Sequence, residues 1–544
     1  MSDNYYGDSC WGSGIINSSI NTNSSSGNSS SSSSTNNNNS SVDDNNYKST
    51  EIALKQTSGK STGRTELKRR FPSCFTEKAQ YDGYDNFEIV FLDMLQFIRG
   101  YANKSLLSFV KETKYIIESY LKGGSCKYFV VCFDNYKFVP ITKYPEQQKR
   151  TIHTKIAKYD NQFVIDCADE KNNWESFKFP WELKEIQKTY LPYDYDDGLQ
   201  DREGFRFFLI QWLVYQWLAC FHEDYRIKVP MGTFVIINGH NLTIELLERI
   251  GYKKSSSSSS LQSDGELLEK KNVPIYIGYD NFWSLRFDWT NTIGEAEFQF
   301  FFLLKTLSEK NDKCLIISTD TDVLYLSLLF VKKCEMSVTI RYNMFPRRYV
   351  DVISLYQQIN EWNFLKVDDD SAILQRKRCR NGEVKTSLTK PKDPIWNIIA
   401  AAYAGGSDVT DGILGVTNAR MIQIMLNFVT HIGNLSINGN LSEEAFIRLC
   451  STSFASTRFV PKQTDPTSPF QHIYDISNNV FTKRYKLPSI TTLNLRYLHL
   501  KHHLKILQQV GERDLIIEDP MKYGYACIDK TKEISRNNIQ RLQI

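Results

Sequence analysis

The stretch CLIISTDTDVLYL, residues 314–326, decides the fold class. CLIIS (314–318) is a short apolar run bounded by polar residues, the pattern of a strand buried on both faces, and it leads directly into Asp320 and Asp322. Residues two apart in extended chain point the same way, so these two acids can share one site. The same signature recurs upstream, where FEIVFLDML (87–95) carries Asp93 and KYFVVCFD (127–134) ends on Asp134. TFVIING (233–239), VPIYIG (273–278) and SVTIRY (337–342) read as further strands.

Helical periodicity fills the intervals. An amphipathic helix runs through Leu121 and stops at Gly123-Gly124, and GEAEFQFFFLLKTL (294–307) and IWNIIAAAYA (395–404) read as two more. A further helix begins at about Asn418, and SITTLNLRYLHLKHHLKILQQV (489–510) is the clearest helix of the last hundred residues. Apolar strands alternating with helices predict an α/β fold with a mostly parallel central sheet flanked by helices.

Composition divides the chain further. Residues 1–80 are dominated by Ser and Asn, too poor in apolar side chains to offset their own ordering entropy, and are expected to be a disordered extension. Residues 81–392 form the α/β core, interrupted by a low-complexity surface loop at 255–266. Residues 393–430 make a pair of helices around a Gly-punctuated turn, and 431–544 a mainly helical C-terminal region.

The net charge is only +4, so attraction to nucleic acid has to come from local patches such as QRKRCRNGEVKTSLTKPK (375–392). The eleven cysteines are odd in number and contain no CxxC pair, which speaks against a disulfide framework and a zinc knuckle and for a reducing compartment. The start of the chain lacks the apolar core of a secretory signal, and the run Phe205 to Phe221 is broken by Arg206, Gln211 and Gln216. A soluble intracellular protein with no membrane partner is expected. His499, His502 and His503 are read as a basic helix face shared with Lys501 and Lys505.

The acids carry the chemistry. In an α/β sheet, functional groups gather at the carboxyl ends of parallel strands, where Asp93, Asp134, Asp320 and Asp322 fall. Glu295 and Glu297 open a helix, and Asp408 sits in GGSD where glycines let the chain bend. Two unit charges 4 Å apart repel by ~4 kcal/mol at an effective dielectric of ~20, so seven acids in one cleft need cations. Hard divalent ions with oxygen ligands suit them, Mg²⁺ first and Mn²⁺ second. A pair ~3.5–4 Å apart can activate a water and stabilise the leaving oxygen of a phosphodiester.

In order and context these residues resemble the flap-endonuclease and XPG branch of the 5′-nuclease superfamily, over roughly residues 87–430. FLDMLQFI, CFDNYKFVPITK, GEAEFQ, IISTDTDVLYL and AGGSDVTDGILGVTNARMIQIM match its acidic motifs and its helix-hairpin-helix in sequence order. The resemblance implies a PIN-like nuclease fold with two Mg²⁺ ions. Asp93, Asp134, Glu295 and Glu297 would face one ion, and Asp320, Asp322 and Asp408 the other. It implies that Lys143, Lys149 and Arg150 hold the scissile phosphate, with Lys143 and Arg150 joining the acids as catalytic residues. Gly415, Thr417 and Arg420 would contact duplex phosphates at the hairpin. Where the family has Gly-x-Gly the chain has Gly415-Val416-Thr417, and a side chain at Thr417 is expected to weaken that contact.

The function implied is a metal-dependent, structure-selective 5′-nuclease acting on DNA as a monomer in the nucleus. About 85 residues precede the first catalytic strand, which removes any role for a free N-terminal glycine, and NNIQRLQI lacks the paired aromatics of a sliding-clamp motif. Three other readings stand beside it: a 5′–3′ exoribonuclease on the same fold, a catalytically inactive nucleic-acid-binding scaffold, and a DxD sugar transferase. The last leaves Asp93, Asp134 and Asp408 without a role.

Overall fold

Strand β2 (Ile89–Asp93) is the middle of a nine-stranded mixed sheet, and its five residues are all buried. A computed structural model describes residues 61–77, 87–94, 97, 106–135, 138–143, 202–218, 225–239, 244–251, 270–309, 311–343, 347–362, 391–408, 410, 416–455, 490–527 and 539–541. These belong to one unit, Ala53–Ile544. The loop at 255–266, residues 375–390 of the basic stretch, Lys149, Arg150 and Gly415 lie outside the described residues.

The remaining strands of the sheet are β1 (Phe75–Thr76), β3 (Tyr128–Cys132), β4 (Phe234–Asn238), β5 (Ile275–Ile277), β6 (Trp283–Leu285), β7 (Lys313–Ile317), β8 (Ser337–Asn343) and β9 (Arg348–Asp351). They are arranged in the order β1-β9-β8-β7-β2-β3-β4-β5-β6. The central five, β8 to β4, pair in parallel. Both margins are antiparallel, through β8-β9-β1 on one side and β4-β5-β6 on the other. The expected mostly parallel sheet is thus corrected to a mixed one. Of the marginal strands, β5 falls within VPIYIG, whereas β1, β6 and β9 escaped the sequence reading because two- to four-residue strands carry too little periodicity to register.

Alternation along each strand sorts the core. Ile89 and Phe91 pack on one face with Val130 and Ile316, while Val90 and Leu92 pack on the other with Phe129 and Leu315. The helices, in chain order, are α1 (Ser61–Arg70), α2 (Leu106–Lys122), α3 (Arg202–Leu218), α4 (Ile244–Arg249), α5 (Ala296–Leu307), α6 (Thr321–Cys334), α7 (Val352–Glu361), α8 (Pro394–Ala404), α9 (Asn418–Asn427), α10 (Val429–Ile432), α11 (Glu443–Ala455) and α12 (Ile490–Leu507). Residues of α2, α3 and α4 cover the second face, and residues of α1, α5 to α9, α11 and α12 cover the first. No helix among the described residues is long and apolar enough to cross a membrane.

Two expectations are corrected here. Residues 61–76 were expected in the disordered extension, yet they form α1, a short 3₁₀ turn and β1. The reason is tertiary: Leu67, Phe71, Cys74 and Phe75 are buried in the main core, and Phe75 pairs with Val350 on β9. Nor do the three histidines of α12 make a basic exterior face. His499, His502 and His503 are all buried, against Tyr525, Tyr523 and Tyr403 respectively.

Candidate active site

The chain runs β2, β3, β4 in one direction across the sheet, then returns to place β7 and β8 on the other side of β2. Strand order therefore reverses between β2 and β7, and the crevice beyond the carboxyl ends of such strands is where open α/β sheets hold ligands. Asp93 closes β2 at that point, and Ser318 follows β7 beside it. The parallel register, with Leu92 opposite Ile317, brings the two together, and Ser318 Oγ donates to Asp93 Oδ2 at 2.8 Å. The same hydroxyl accepts from the Asp320 N–H at 3.1 Å. One serine thus ties the first acid to the STDTD turn.

Asp320 is the N-cap of α6 and accepts from the Asp322 N–H at 2.9 Å. Acids at a helix start are stabilised by the unsatisfied N–H groups and the helix dipole, which is why this turn carries them. Asp322, in the first turn, is buried and accepts from the Tyr403 hydroxyl at 3.0 Å. Tyr403 comes from α8, three residues before the GSD turn that holds the half-buried Asp408.

Asp134 lies two residues beyond β3 and accepts from the Ala296 N–H at 2.9 Å, at the start of α5. That contact sets the helix bearing Glu295 and Glu297 against the end of β3. Asn135 N–H donates to Gly294 O at 2.6 Å, and a Cβ at position 294 would meet Val139 N at 2.2 Å. Only glycine permits this approach. Behind it runs a buried ladder of amides. Asn135 Nδ2 donates to Asn272, Asn272 to Asn291, Asn291 to Asn238 and Asn238 to Gln299, whose own Nε2 donates to Phe133 O. Every amide in it has a partner, as a buried polar network requires.

Lys143, from a 3₁₀ turn at Ile141–Lys143, enters the middle of the acids. Its ammonium pairs with Glu295, and stands 3.6 Å from Glu297 Oε1. Burial works to lower its pKa, but the charges of Glu295, Glu297, Asp322 and Asp408 outweigh that and hold it well above the usual lysine value. Glu297 is pushed well up, by burial first and then by the charge of Glu295, with Lys143 opposing. Glu295 is also raised by burial, against the pull of Lys143. Burial and the charges of Asp93 and Asp134 push up the Cys132 thiol, which makes it a poor nucleophile.

The acids of the sequence reading are therefore brought together from five segments. Asp93 joins through Ser318, Asp134 through α5, and Glu295, Glu297, Asp322 and Asp408 through Lys143; Asp320 shares its turn with Asp322. Their donor set, all carboxylate oxygen, suits hard divalent cations. As the side chains stand, no three Asp, Glu, His or Cys among the described residues close round a common point at metal-ligand distances.

The hairpin departs from expectation. Thr417 is the N-cap of α9 at φ −99°, an ordinary extended conformation, so its side chain does not strain the turn. Its Oγ1 accepts from the Arg420 N–H at 3.2 Å, and Thr62 on α1 accepts from the Ala419 N–H at 3.4 Å. Two of the first-turn N–H groups expected to meet phosphate, those of Ala419 and Arg420, are thus engaged within the protein. Arg420 itself donates to Gln423 at 2.6 Å. The physical cause is α1, which packs across the start of α9.

Ser318, Tyr403, Gln299 and Arg64 are the residues of this neighbourhood that the sequence reading passed over. Ser318 and Gln299 sit inside the STDTD and GEAEFQ motifs, so a signal existed; Tyr403 had none beyond its helix, and Arg64 lay in a segment read as disordered. The chain matches no known family model and no curated protein.

Proposed function

We propose that the protein is a metal-dependent 5′-nuclease that hydrolyses phosphodiester bonds in DNA of flap or junction type, on a PIN-like fold. One observation carries the reading: acids from five separated segments lie around the switch point at the parallel centre of the sheet, with Lys143 buried among them. Asp93, Asp134, Glu295, Glu297, Asp320, Asp322 and Asp408 are the groups that would hold two Mg²⁺ ions, with Mn²⁺ as a substitute. Such ions neutralise the cleft and lower the cost of charge developing on a phosphodiester.

The chain's own groups set up the rest. Ser318 and Tyr403 orient Asp93 and Asp322, and the amide ladder fixes the end of β3 against the start of α5. With cations taking up the charge of the acids, the Lys143 ammonium can turn from Glu295 to a phosphate oxygen. The test is turnover by the purified full chain with Mg²⁺ on end-labelled flap, gap, hairpin and single-stranded DNA and on matched RNA. Asp320→Ala with Asp322→Ala should abolish cleavage and spare folding; an equally active double variant rejects the mechanism. RNA preferred over DNA would favour the exoribonuclease reading.

A catalytically inactive nucleic-acid-binding scaffold is the second reading, favoured by the position of Lys143, which already supplies counter-charge to Glu295 and Glu297. Titration with Mn²⁺ separates the two. A scaffold binds nucleic acid without binding the ion or turning substrate over.

A further inference from the structure

Helix α1 carries four cations, and three of them are spoken for. Lys68 pairs with Glu77, while Arg69 and Arg70 both pair with Glu66. Arg64 has no ion pair among the described residues, although it is the one nearest the acids. Its Nη1 donates to Thr319 O at 3.1 Å, inside the STDTD turn, and its guanidinium lies over the Tyr342 ring at 4.8 Å from the centroid. These two contacts fix the plane of the group and engage one of five N–H donors.

The placement is built rather than incidental. A Cβ at Gly63 would meet the Tyr325 hydroxyl at 2.2 Å, so a side chain there would displace the tip of Tyr325 where α1 packs on α6. Thr62 accepts from Ala419 N–H, and Leu67 is buried. Together they seat Arg64, half-buried, between Tyr342 on β8 and the turn that carries Asp320 and Asp322. Burial lowers its pKa, and the neighbouring Tyr342 and Asp320 oppose this.

We propose that Arg64 is a phosphate-binding residue at the rim of the acidic site, contacting the backbone of the nucleic acid next to the bond that is cut. A guanidinium held flat, desolvated on one side and short of hydrogen-bond acceptors is suited to two phosphate oxygens at once. Thr62 of the same helix accepts from the Ala419 N–H at the start of α9, so α1 supplies a cationic contact beside the hairpin. The proposal rests on the nuclease reading and assigns it a contact outside the acids.

The experiment uses the full chain and fluorescent flap and single-stranded DNA, with Ca²⁺ in place of Mg²⁺, at several salt concentrations. Arg64→Gln should weaken binding about tenfold for every sequence and lower the salt slope by about 1. Arg64→Lys, which keeps the charge, should recover most of that slope. Mn²⁺ binding without DNA should be the same in wild type and both variants. Unchanged DNA affinity and slope in Arg64→Gln overturns the proposal. So does a parallel loss of Mn²⁺ and DNA affinity, which would make Arg64 a structural tie for the Thr319 turn. A wild-type protein that binds no nucleic acid sinks the nuclease reading itself, a result that neither variant can mimic.

Discussion

The Tyr403 hydroxyl donates to Asp322 Oδ1 at 3.0 Å, joining the last turn of one buried helix to the first turn of another. Burial and the charge of Asp322 hold the phenol well above its usual pKa, so it stays protonated and donates. His503 on α12 packs edge-on against its ring at 4.6 Å, and Tyr325 does so from α6 at 5.5 Å. His503 thus links the C-terminal region to the candidate site. Tyr403→Phe removes the donor and leaves the ring. Loss of a hydrogen bond to a buried carboxylate costs about 1.5–3 kcal/mol, readable by urea unfolding. Mn²⁺ affinity should fall severalfold with it.

Lys143 is the buried counter-charge of Glu295 and Glu297. Lys143→Met leaves both acids buried without their cation and should destabilise the protein by roughly 3–5 kcal/mol in the absence of divalent ions. Added Mg²⁺ should then raise the melting temperature of the variant more than that of the wild type, because the ion restores what the ammonium supplied. Equal shifts would show that ions do not reach these acids.

Asn272 anchors the amide ladder, accepting from Asn135 and donating to Asn291 and to Ile293 O at 2.7 Å. Asn272→Ala removes one hydrogen bond from each of Asn135, Asn291 and Ile293 and should cost about 2 kcal/mol or more in denaturant unfolding. Asn272→Asp should be worse, since it buries a charge and removes the donors. A neutral Ala variant would mean that water fills the gap.

Burial holds His502 below its ordinary value of 6.5, with Glu518 opposing and Lys505 assisting. As pH falls the unfolded chain binds this proton first, so the stability contribution of the neutral ring is whole above 6.5 and is lost between there and the lower folded value. Wild type should lose more stability between pH 7 and pH 5 than His502→Phe. Matching losses in the two proteins would place the acid sensitivity elsewhere.

Much was legible from local pattern. Apolar runs ending in acids marked β2, β3 and β7, and the GEAEFQ helix start sits where its sequence put it, because strand and helix periodicity act over a few residues. The convergence of the acids followed from parallel strands sharing a polarity. Local pattern could not reveal which cation would stand among them, since Lys143 reaches Glu295 by tertiary packing. Nor could it lift α1 out of the Ser- and Asn-rich extension: Arg64 and Thr319 are 255 positions apart, and helix formation there depends on Leu67 and Phe71 finding the core. The histidines of α12 and the hairpin start make the same point. The sequence determined which groups exist and what element each sits on; burial and long-range contact decided which remain open to a partner, because the desolvation and pairing that settle this involve residues far apart in the chain.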